Sequence, residues 1–336
     1  MITITIYGYP DTQETAALEQ LIEEQRGEVA VNTILVDLAD DPAMADYIGN
    51  GVPMVQIGPY RLKSPLHPKD LKVAISAAND RAERLKDDPG YQDRLTRGRR
   101  ITNSDRFNLW FSKHYAWAFV ILLFLYTGMA LIAPVFMKVG WETPANVLYV
   151  FYKPFCHQLA FRSFFLFGEQ AYYPRDLAGI EGITTYDDLL KDGEIENYSG
   201  LLDARNFIGN ETIGYKTALC QRCLAIYGSM GIFAIIYALS GNKIKPPAWY
   251  WWILIGMGPI GLDGLSQIPG MLGINLPEWM IIRESTPLFR VVTGTLFGGM
   301  TMWYLLPQVE DSMRSTRMHL MRKFAYRQQL DPQGED

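Results

Sequence analysis

The sequence has few cysteines and few charged residues for its length. Only 3 of its 336 residues are cysteine and 20% are charged, against about 25% in a typical soluble domain. Three cysteines cannot form a framework of disulfides, and a net charge of −5 does not suit a dedicated nucleic-acid binder. The mean hydropathy of −0.02 is high for a soluble enzyme and low for a multi-pass membrane protein. Composition therefore excludes a disordered, fibrous or disulfide-rich secreted protein and indicates two dissimilar parts.

Hydropathy divides the chain near residue 115. Residues 1–115 are polar and charged, residues 116–307 contain long apolar runs, and residues 308–336 are first basic and then acidic. We predict an α/β domain over 1–85 and a basic juxtamembrane linker over 86–115. A helical transmembrane domain follows over 116–307, and the chain closes with a cytoplasmic tail.

The first 85 residues alternate strand and helix signals. The opening ITITIYGYP is typical of a strand that runs into a turn, and TAALEQLIEEQRG of a capped helix closed by Gly27. The same signals continue in the order β-α-β-α-β-β-α. This order resembles the thioredoxin-like fold, and more narrowly the glutaredoxin-like fold. The resemblance implies that Gly51-Val52-Pro53 stands where that family keeps a cis-proline.

The thioredoxin-like resemblance lacks the residues of its redox chemistry. That chemistry needs two cysteines at the first strand–helix junction, where a helix N-terminus lowers the thiol pKa. The junction here runs from Gly8 to Gln13 without a cysteine, and the first cysteine of the chain is Cys156. We therefore expect residues 1–85 to dock a protein partner or to regulate, with ligand binding beside Pro53 as the alternative.

The linker over 86–115 is rich in arginine and ends in aromatic residues that include Trp110, Phe111 and Tyr115. A basic segment with an aromatic belt, directly ahead of an apolar run, is typical of a membrane surface. We expect no nucleic-acid partner for it.

Four segments are long and apolar enough to cross a hydrocarbon core of about 30 Å. They are 116–136, 219–239, 248–272 and 287–307. A fifth segment, 146–168, carries Lys153, His157 and Arg162 in its middle, where a charge is costly unless it is buried against protein. We expect this fifth segment to be re-entrant or interfacial.

The loop charges predict an orientation. Basic residues precede the first predicted span, lie within 240–247 and follow the last span, whereas the insertion 169–217 is acidic. Because basic loops stay on the cytoplasmic side, four full crossings place every basic region inside. We predict a multi-pass protein of a prokaryotic plasma membrane, with the N-terminal domain and the C-terminal tail in the cytoplasm.

The three cysteines and one histidine form two short clusters, Cys156-His157 and Cys220-Gln221-Arg222-Cys223. A Cys₃His set is a known tetrahedral zinc site, so Cys156, His157, Cys220 and Cys223 are candidate ligands of a transition metal, with zinc as the first choice. Thiolates also bind copper or iron. Two alternatives stay open: Cys220 and Cys223 cycle between dithiol and disulfide with Cys156 as the resolving thiol, or the cysteines pack as small apolar residues.

A second group of polar residues lies in the later apolar segments. Asp263 and Gln267 are four residues apart, hence on one helical face, and Arg283 and Arg290 follow. Gly294 permits close approach of a neighbouring helix. We predict either buried ion pairs that hold helices together or a pocket in which Arg283, Arg290 and Arg162 bind an anionic substrate or lipid headgroup.

Four ordered motifs within 146–307 resemble those of a family of small prokaryotic membrane proteins of unknown function. The resemblance implies a shared polar site and supplies no activity. The acidic insertion 169–217 and the fused N-terminal domain depart from that pattern. The motifs are Cys-His-Gln with Arg162-Ser163, Cys-x-Arg-Cys with Ile226-Tyr227-Gly228, Gly-Leu-Asp-Gly with Gln267, and Arg-x-Ser-Thr with Arg290 and Thr293-Gly294.

The sequence therefore favours an integral membrane protein with a Cys/His metal site and a polar intramembrane pocket for an anionic partner. The candidate catalytic residues of that pocket are Asp263, Gln267, Arg283 and Arg290. If it is an enzyme, metal-assisted chemistry on a lipid or lipid-linked anion fits best, with Asp263 as candidate base. The alternatives are a membrane thiol-disulfide oxidoreductase that uses Cys220 and Cys223, and a non-catalytic subunit that docks a partner through residues 1–85.

Overall fold

The computed structural model describes residues 2–39, 41–49, 53–63, 65–93, 100–195, 198–268 and 283–330. The chain forms two compact units. The first contains Met1–Tyr115, Gly241–Lys243 and Val309–Asp336, and the second contains Ala116–Ser240 and Ile244–Gln308.

The first unit is built on a four-stranded mixed sheet. Its strand order is β2-β1-β3-β4, with β1 and β2 parallel and the other two pairs antiparallel. The element order predicted from the sequence is confirmed. Its elements are β1 (Ile2–Gly8), α1 (Gln13–Gln25), β2 (Val31–Asp37), α2 (Pro42–Ile48), β3 (Met54–Ile57), β4 (Tyr60–Leu62) and α3 (Pro68–Arg84). Residues 51 and 52 of the predicted cis-proline motif lie outside the described residues.

Local sequence explains where the helices of this unit begin. The Thr12 side chain accepts a hydrogen bond from the backbone N–H of Thr15 at 3.3 Å and caps α1. The Asp41 side chain caps α2 in the same way and accepts a hydrogen bond from the backbone N–H of Met44 at 3.0 Å. Pro42 suits the first position of α2, because a backbone N–H at that position has no partner within the helix and proline has none to leave unpaired. One sheet face packs on α1 and α3, whose Leu18 and Ile75 are buried.

The other face of the sheet packs on α2 and on the end of the last helix of the chain, α11 (Pro287–Leu330). Met318 of α11 is buried in the same cluster as Tyr7 and Met44. The Tyr7 hydroxyl donates to the Met318 carbonyl at 3.2 Å. The segment predicted as a separate tail over 308–336 is thus helical to Leu330 and belongs to the first unit from Val309 onward.

A buried ionic network fixes this end of α11. Arg317 is 2% exposed and contacts the Glu310 carboxylate, the Asp41 carboxylate at 3.2 Å and the Ser112 carbonyl at 2.9 Å. Arg314 lies 3.6 Å from Glu310. Burial raises the pKa of the Glu310 carboxyl, and the positive charge of Arg317 opposes that rise. Arg317 therefore compensates two buried carboxylates.

The second unit is mainly helical and carries a small antiparallel sheet of order β5-β7-β6. Two long helices, Asn103–Lys138 and α11, contribute residues to each unit. The elements of the second unit are α4 (Asn103–Lys138), α5 (Glu142–Tyr152), β5 (Ser163–Leu166), α6 (Tyr186–Lys191), α7 (Leu201–Asn206), β6 (Gly209–Asn210), β7 (Gly214–Cys220), α8 (Gln221–Leu239), α9 (Trp249–Trp251), a π-helix (Trp252–Met257), α10 (Gly258–Leu265) and α11. Short 3₁₀ turns lie at Ala160–Arg162 and Asp176–Ala178.

Two helices of the described chain, α4 and α8, are long and apolar enough to cross a membrane by length and composition. Only 33% and 22% of their most apolar windows are buried inside the protein. Leu122 of α4 is 62% exposed and Leu239 of α8 is 72% exposed. Such extended apolar exposure suits contact with lipid better than contact with water.

The count of four spans predicted from the sequence is not confirmed: among the described residues, the helices of this kind cover the predicted segment 116–136 and residues 221–239 of the predicted segment 219–239. Segment 248–272 is divided into α9, the π-helix and α10. Pro259 cannot donate the backbone hydrogen bond that would continue a regular helix there. Residues 269–272 lie outside the described part of the chain. Segment 287–307 is helical, but Arg290 and its threonine and glycine residues lower its hydropathy.

The fifth segment, 146–168, is not one helix. It comprises the end of α5, a loop, a 3₁₀ turn and β5. The acidic insertion 169–217 that follows contributes α6, α7, β6 and most of β7. Aromatic residues of the insertion, including Tyr173, Tyr186 and Phe207, share a buried core with Phe161 and Phe165. The insertion is therefore a packed part of the second unit.

We predict that Arg317→Ala lowers the free energy of unfolding of the first unit by about 3–5 kcal/mol, because it leaves Glu310 and Asp41 buried without their cation. Thermal unfolding and limited proteolysis of the purified protein measure the effect. Arg81→Ala, at an exposed arginine of α3, is the matched control and should change little. Equal stability of the two variants would contradict the role assigned to the network.

Candidate metal centre and arginine cluster

The three cysteines lie together in the second unit. Cys156 follows α5, Cys220 ends β7 and is the N-cap of α8, and Cys223 lies in the first turn of α8. All three are free, and their Sγ atoms lie within 4.8 Å of one another. We call these residues the thiol cluster. They adjoin a buried apolar core that includes Leu148 and Tyr152.

Backbone N–H groups point at one sulfur of the thiol cluster. The Cys156 Sγ accepts from Cys220 N at 3.2 Å and from Gln158 N at 3.4 Å. Gln158 reaches this position through a left-handed backbone conformation, with φ of 54°. N–H donors of this kind stabilise a thiolate, which is the form that binds a metal ion.

The structure brings three of the four predicted metal ligands together and leaves His157 exposed, outside the thiol cluster. Three thiolates around a tetrahedral Zn²⁺, each about 2.3 Å from the ion, lie about 3.8 Å apart. A spread within 4.8 Å is close to that geometry. The donor set therefore fits a soft or borderline metal ion with one coordination position left for another ligand.

Asp263 on α10 is a buried carboxylate held by several donors. Its oxygens accept from the Arg222 guanidinium, from Arg283 Nη2 at 2.6 Å and from Ser285 Oγ at 2.8 Å. Gln267 donates its Nε2 to the Asp263 carbonyl at 2.6 Å. Gln267 lies just beyond the end of α10, and its Nε2 is also 3.4 Å from Asp263 Oδ2.

Glu284 is a second carboxylate with two arginine partners. Arg162 Nε donates to Glu284 Oε1 at 2.6 Å, and Arg290 binds the same oxygen. Arg290 is 2% exposed and also donates to the Phe161 carbonyl at 3.2 Å. Because Ser285 bonds Asp263, the dipeptide Glu284-Ser285 joins the two ionic groups.

These six residues form one charged group, the arginine cluster. It consists of four arginines and two carboxylates: Arg162, Arg222, Arg283, Arg290, Asp263 and Glu284. The cluster thus has a formal excess of two positive charges. Within the described residues, Arg162 Nη2 and Arg222 Nε are buried and have no hydrogen-bond partner. Unpaired buried cationic donors are costly, so the cluster is suited to an anion.

The thiol cluster and the arginine cluster share the N-terminus of α8. Arg222 lies between the two cysteines of that first turn, and Arg290 interacts electrostatically with Arg222 and Cys220. The helix N-terminus adds partial positive charge at the same place. The sequence prediction included Arg162, Arg283 and Arg290 but assigned no role to Arg222, Glu284 or Ser285, although the motifs that contain them are visible in the sequence.

Two glycines of α11 allow this arrangement. A Cβ atom on Gly294 would lie 2.8 Å from the Arg222 carbonyl oxygen, and one on Gly298 would overlap the Ile226 carbonyl and the Ser229 hydroxyl. The backbones of α8 and α11 therefore approach more closely than any larger residue permits. This confirms the close approach predicted at Gly294.

We predict that Gly298→Ala destabilises the second unit by about 1–3 kcal/mol, because the added methyl group overlaps the backbone of α8. Gly299→Ala is a matched control, since a Cβ there meets nothing within 4 Å and alanine favours a helix. Thermal unfolding in detergent compares the two. A Gly298→Ala protein as stable as Gly299→Ala would show that the contact is not tight.

Comparison with known proteins agrees with the C-terminal part of this description. Residues 203–304 match the model of a family described as a predicted membrane protein (DUF2085). An uncharacterized protein of Methanocaldococcus jannaschii is 26% identical over 204 residues, which cover 58% of this chain and 92% of that protein. No solved structure matches. The matched family region contains Cys220, Cys223 and most of the arginine cluster, and is thus similar to membrane proteins of unknown function.

Proposed function

We propose that the protein is a multi-pass membrane protein in which the thiol cluster holds a transition metal ion, with zinc as the first choice. The adjoining arginine cluster binds the anionic group of a lipid or a lipid-linked molecule. The observation that carries the proposal is the pairing, at one helix N-terminus, of three thiols within 4.8 Å and an arginine group with excess positive charge.

The residues divide into metal ligands and anion donors. Cys156, Cys220 and Cys223 would hold the ion, and a bound metal ion of this kind supplies Lewis-acid assistance to a ligand in its open position. Arg283 is the arginine most open to solvent, with 39% of its side chain exposed, so it is the first group that an arriving anion meets. Arg162 and Arg290 lie deeper and would fix the anion's orientation.

Asp263 is better suited to positioning than to proton transfer. Two arginines and one serine already occupy its carboxylate oxygens, so a substrate proton would have to displace them. Asp263 instead holds Arg222 and Arg283 apart at fixed positions. Gln267, which bonds the Asp263 carbonyl, supports the same arrangement.

A thiol oxidoreductase is the second candidate, because the three thiols are free and close enough to exchange partners. In that reaction the Cys220 thiolate would attack a disulfide acceptor and release one acceptor thiolate. Cys223 would then displace the second acceptor thiolate and close the Cys220–Cys223 disulfide, which the Cys156 thiolate could open again by attacking one of its sulfurs. The metal measurement below separates the two candidates.

We further propose four membrane crossings, by α4, by α8, by the segment 248–272 and by the first part of α11, with both termini in the cytoplasm. The N-terminal domain is then a thioredoxin-like module for docking a protein partner. Its sheet order β2-β1-β3-β4 supports that fold, and the absence of cysteine before Cys156 supports binding rather than redox exchange.

We predict that the protein purified in mild detergent contains close to one metal ion per chain, as measured by elemental analysis together with thiol counting. Cys220→Ser should lose most of the metal, because two thiolates hold an ion far more weakly than three. Cys156→Ser should also lose most of the metal. Agreement between the two variants would argue against a folding defect of one of them as the cause.

His157→Ala is the matched control for the metal measurement, since His157 is exposed and outside the thiol cluster. It should retain the metal. Loss of metal in His157→Ala would show that His157 is a fourth ligand, as in the predicted Cys₃His site. A metal-free wild-type protein with a reducible Cys220–Cys223 disulfide would overturn the metal proposal and favour the oxidoreductase.

We predict that a membrane-impermeant amine reagent applied to intact cells labels Lys191, which is 64% exposed in the insertion. Lys69, exposed on α3 of the N-terminal domain, should be protected until the membrane is permeabilised. Mass spectrometry of the labelled peptides reads both sites. Protection of Lys191 together with labelling of Lys69 would reverse the proposed orientation.

A further inference from the structure

A small cavity between α5, α7 and β7 is separate from the residues of the arginine cluster. Its volume is about 60 Å³, which is room for several water molecules or one small oxyanion. Its polar lining includes Tyr149, Lys153, Gln158, Arg205 and Lys216. Three of these five side chains are cationic, and none of the described residues that line the cavity is acidic.

The three cations have no carboxylate partner in the described part of the chain. Lys153 donates to the Asn206 amide oxygen at 3.0 Å, and Arg205 donates to the Lys153 carbonyl at 2.6 Å. Lys216 donates to the carbonyls of Gln158 and Arg205, at 2.7 and 2.6 Å. Their described partners are thus neutral amide and carbonyl oxygens, which satisfy hydrogen bonds but do not balance charge.

Lys216 makes this imbalance costly. Its side chain is 1% exposed, and an ammonium group is rarely buried without a partner of opposite charge. Burial lowers the pKa of Lys216 to about 7; the nearby Cys156 thiol group opposes this shift, and the charges of Lys153 and Arg205 add to it. Its two carbonyl acceptors leave a third N–H available for another acceptor.

Two further polar atoms at the cavity lack partners. Arg205 Nε is a buried donor and Gln158 Oε1 a buried acceptor, and neither forms a hydrogen bond within the described residues. The Gln158 amide is fixed in this orientation because its Nε2 donates to the carbonyls of Tyr149 and Ala218, at 2.9 and 2.8 Å. A ligand here must therefore accept from cations and donate one proton to an amide oxygen.

We propose that this cavity is a second anion site, which binds a singly protonated oxyanion of phosphate size through Lys216, Arg205, Lys153 and Gln158. The negative oxygens pair with the three cations, and the remaining O–H donates to Gln158 Oε1. The Gln158 backbone N–H also donates to the Cys156 sulfur. An anion bound in the cavity would therefore stabilise the loop that contains both Gln158 and Cys156.

Titration calorimetry of the full chain in detergent, with inorganic phosphate as the probe, tests the site. We expect saturable binding to the wild type and at least a tenfold loss of affinity in Lys216→Met. Lys191→Gln removes an exposed positive charge from the same insertion without touching the cavity, and it should bind like the wild type. Arg205→Gln, at a partly exposed residue, should also lose affinity if Lys216→Met fails to fold.

The Arg283→Gln variant distinguishes this site from the arginine cluster. Phosphate binding that survives Arg283→Gln and is lost in Lys216→Met or Arg205→Gln supports the cavity, whatever becomes of the proposed function. A second arm replaces inorganic phosphate with phosphatidic acid in nanodiscs. If Lys216→Met and Arg205→Gln lose binding to phosphatidic acid, the natural anion is a lipid headgroup. Wild-type protein that binds neither probe, or cavity variants with unchanged affinity for both, would overturn the proposal.

Discussion

The close contact between α8 and α11 is the constraint on which the second unit's chemistry depends. Gly294 and Gly298 bring the backbone of α11 against the carbonyls of Arg222 and Ile226. The first turn of α8, which carries Cys220, Arg222 and Cys223, therefore lies beside Arg290. Since the chain enters α11 through Glu284-Ser285, the same contact delivers one carboxylate to Arg290 and one hydroxyl to Asp263. A larger residue at either glycine would separate these groups.

Both units bury positively charged side chains, but they differ in whether carboxylates compensate the charge. In the first unit, Arg317 lies between Glu310 and Asp41, so the charge is compensated and stabilises the packing of α11 on the sheet. In the second unit, four arginines share two carboxylates, and the described lining of the cavity at Lys216 contains three cationic residues and no acidic one. Uncompensated buried charge costs several kcal/mol, which is why anions are the proposed ligands.

Local signals in the sequence were sufficient for the N-terminal elements and for part of the site. Alternating apolar residues and the caps at Thr12 and Asp41 define the strands and helices of the sheet domain. Two cysteines three residues apart at a helix start are equally local. By contrast, Tyr7 and Met318 are 311 positions apart in the sequence, and no local sequence pattern predicts their contact. His157 shows another limit: adjacency to Cys156 in sequence does not turn its side chain toward the other thiols. The break in segment 248–272 was foreseeable from Pro259, but its apolar composition outweighed that signal.

In the proposed metal centre, three thiolates, and not an imidazole, hold a metal ion beside the arginine cluster. X-ray absorption spectroscopy of the metal in the purified protein tests this most directly, because it counts sulfur and nitrogen neighbours separately. We expect three sulfur neighbours at about 2.3 Å from zinc and one lighter ligand, with the same spectrum in His157→Ala. A coordination shell of nitrogen and oxygen alone would contradict it.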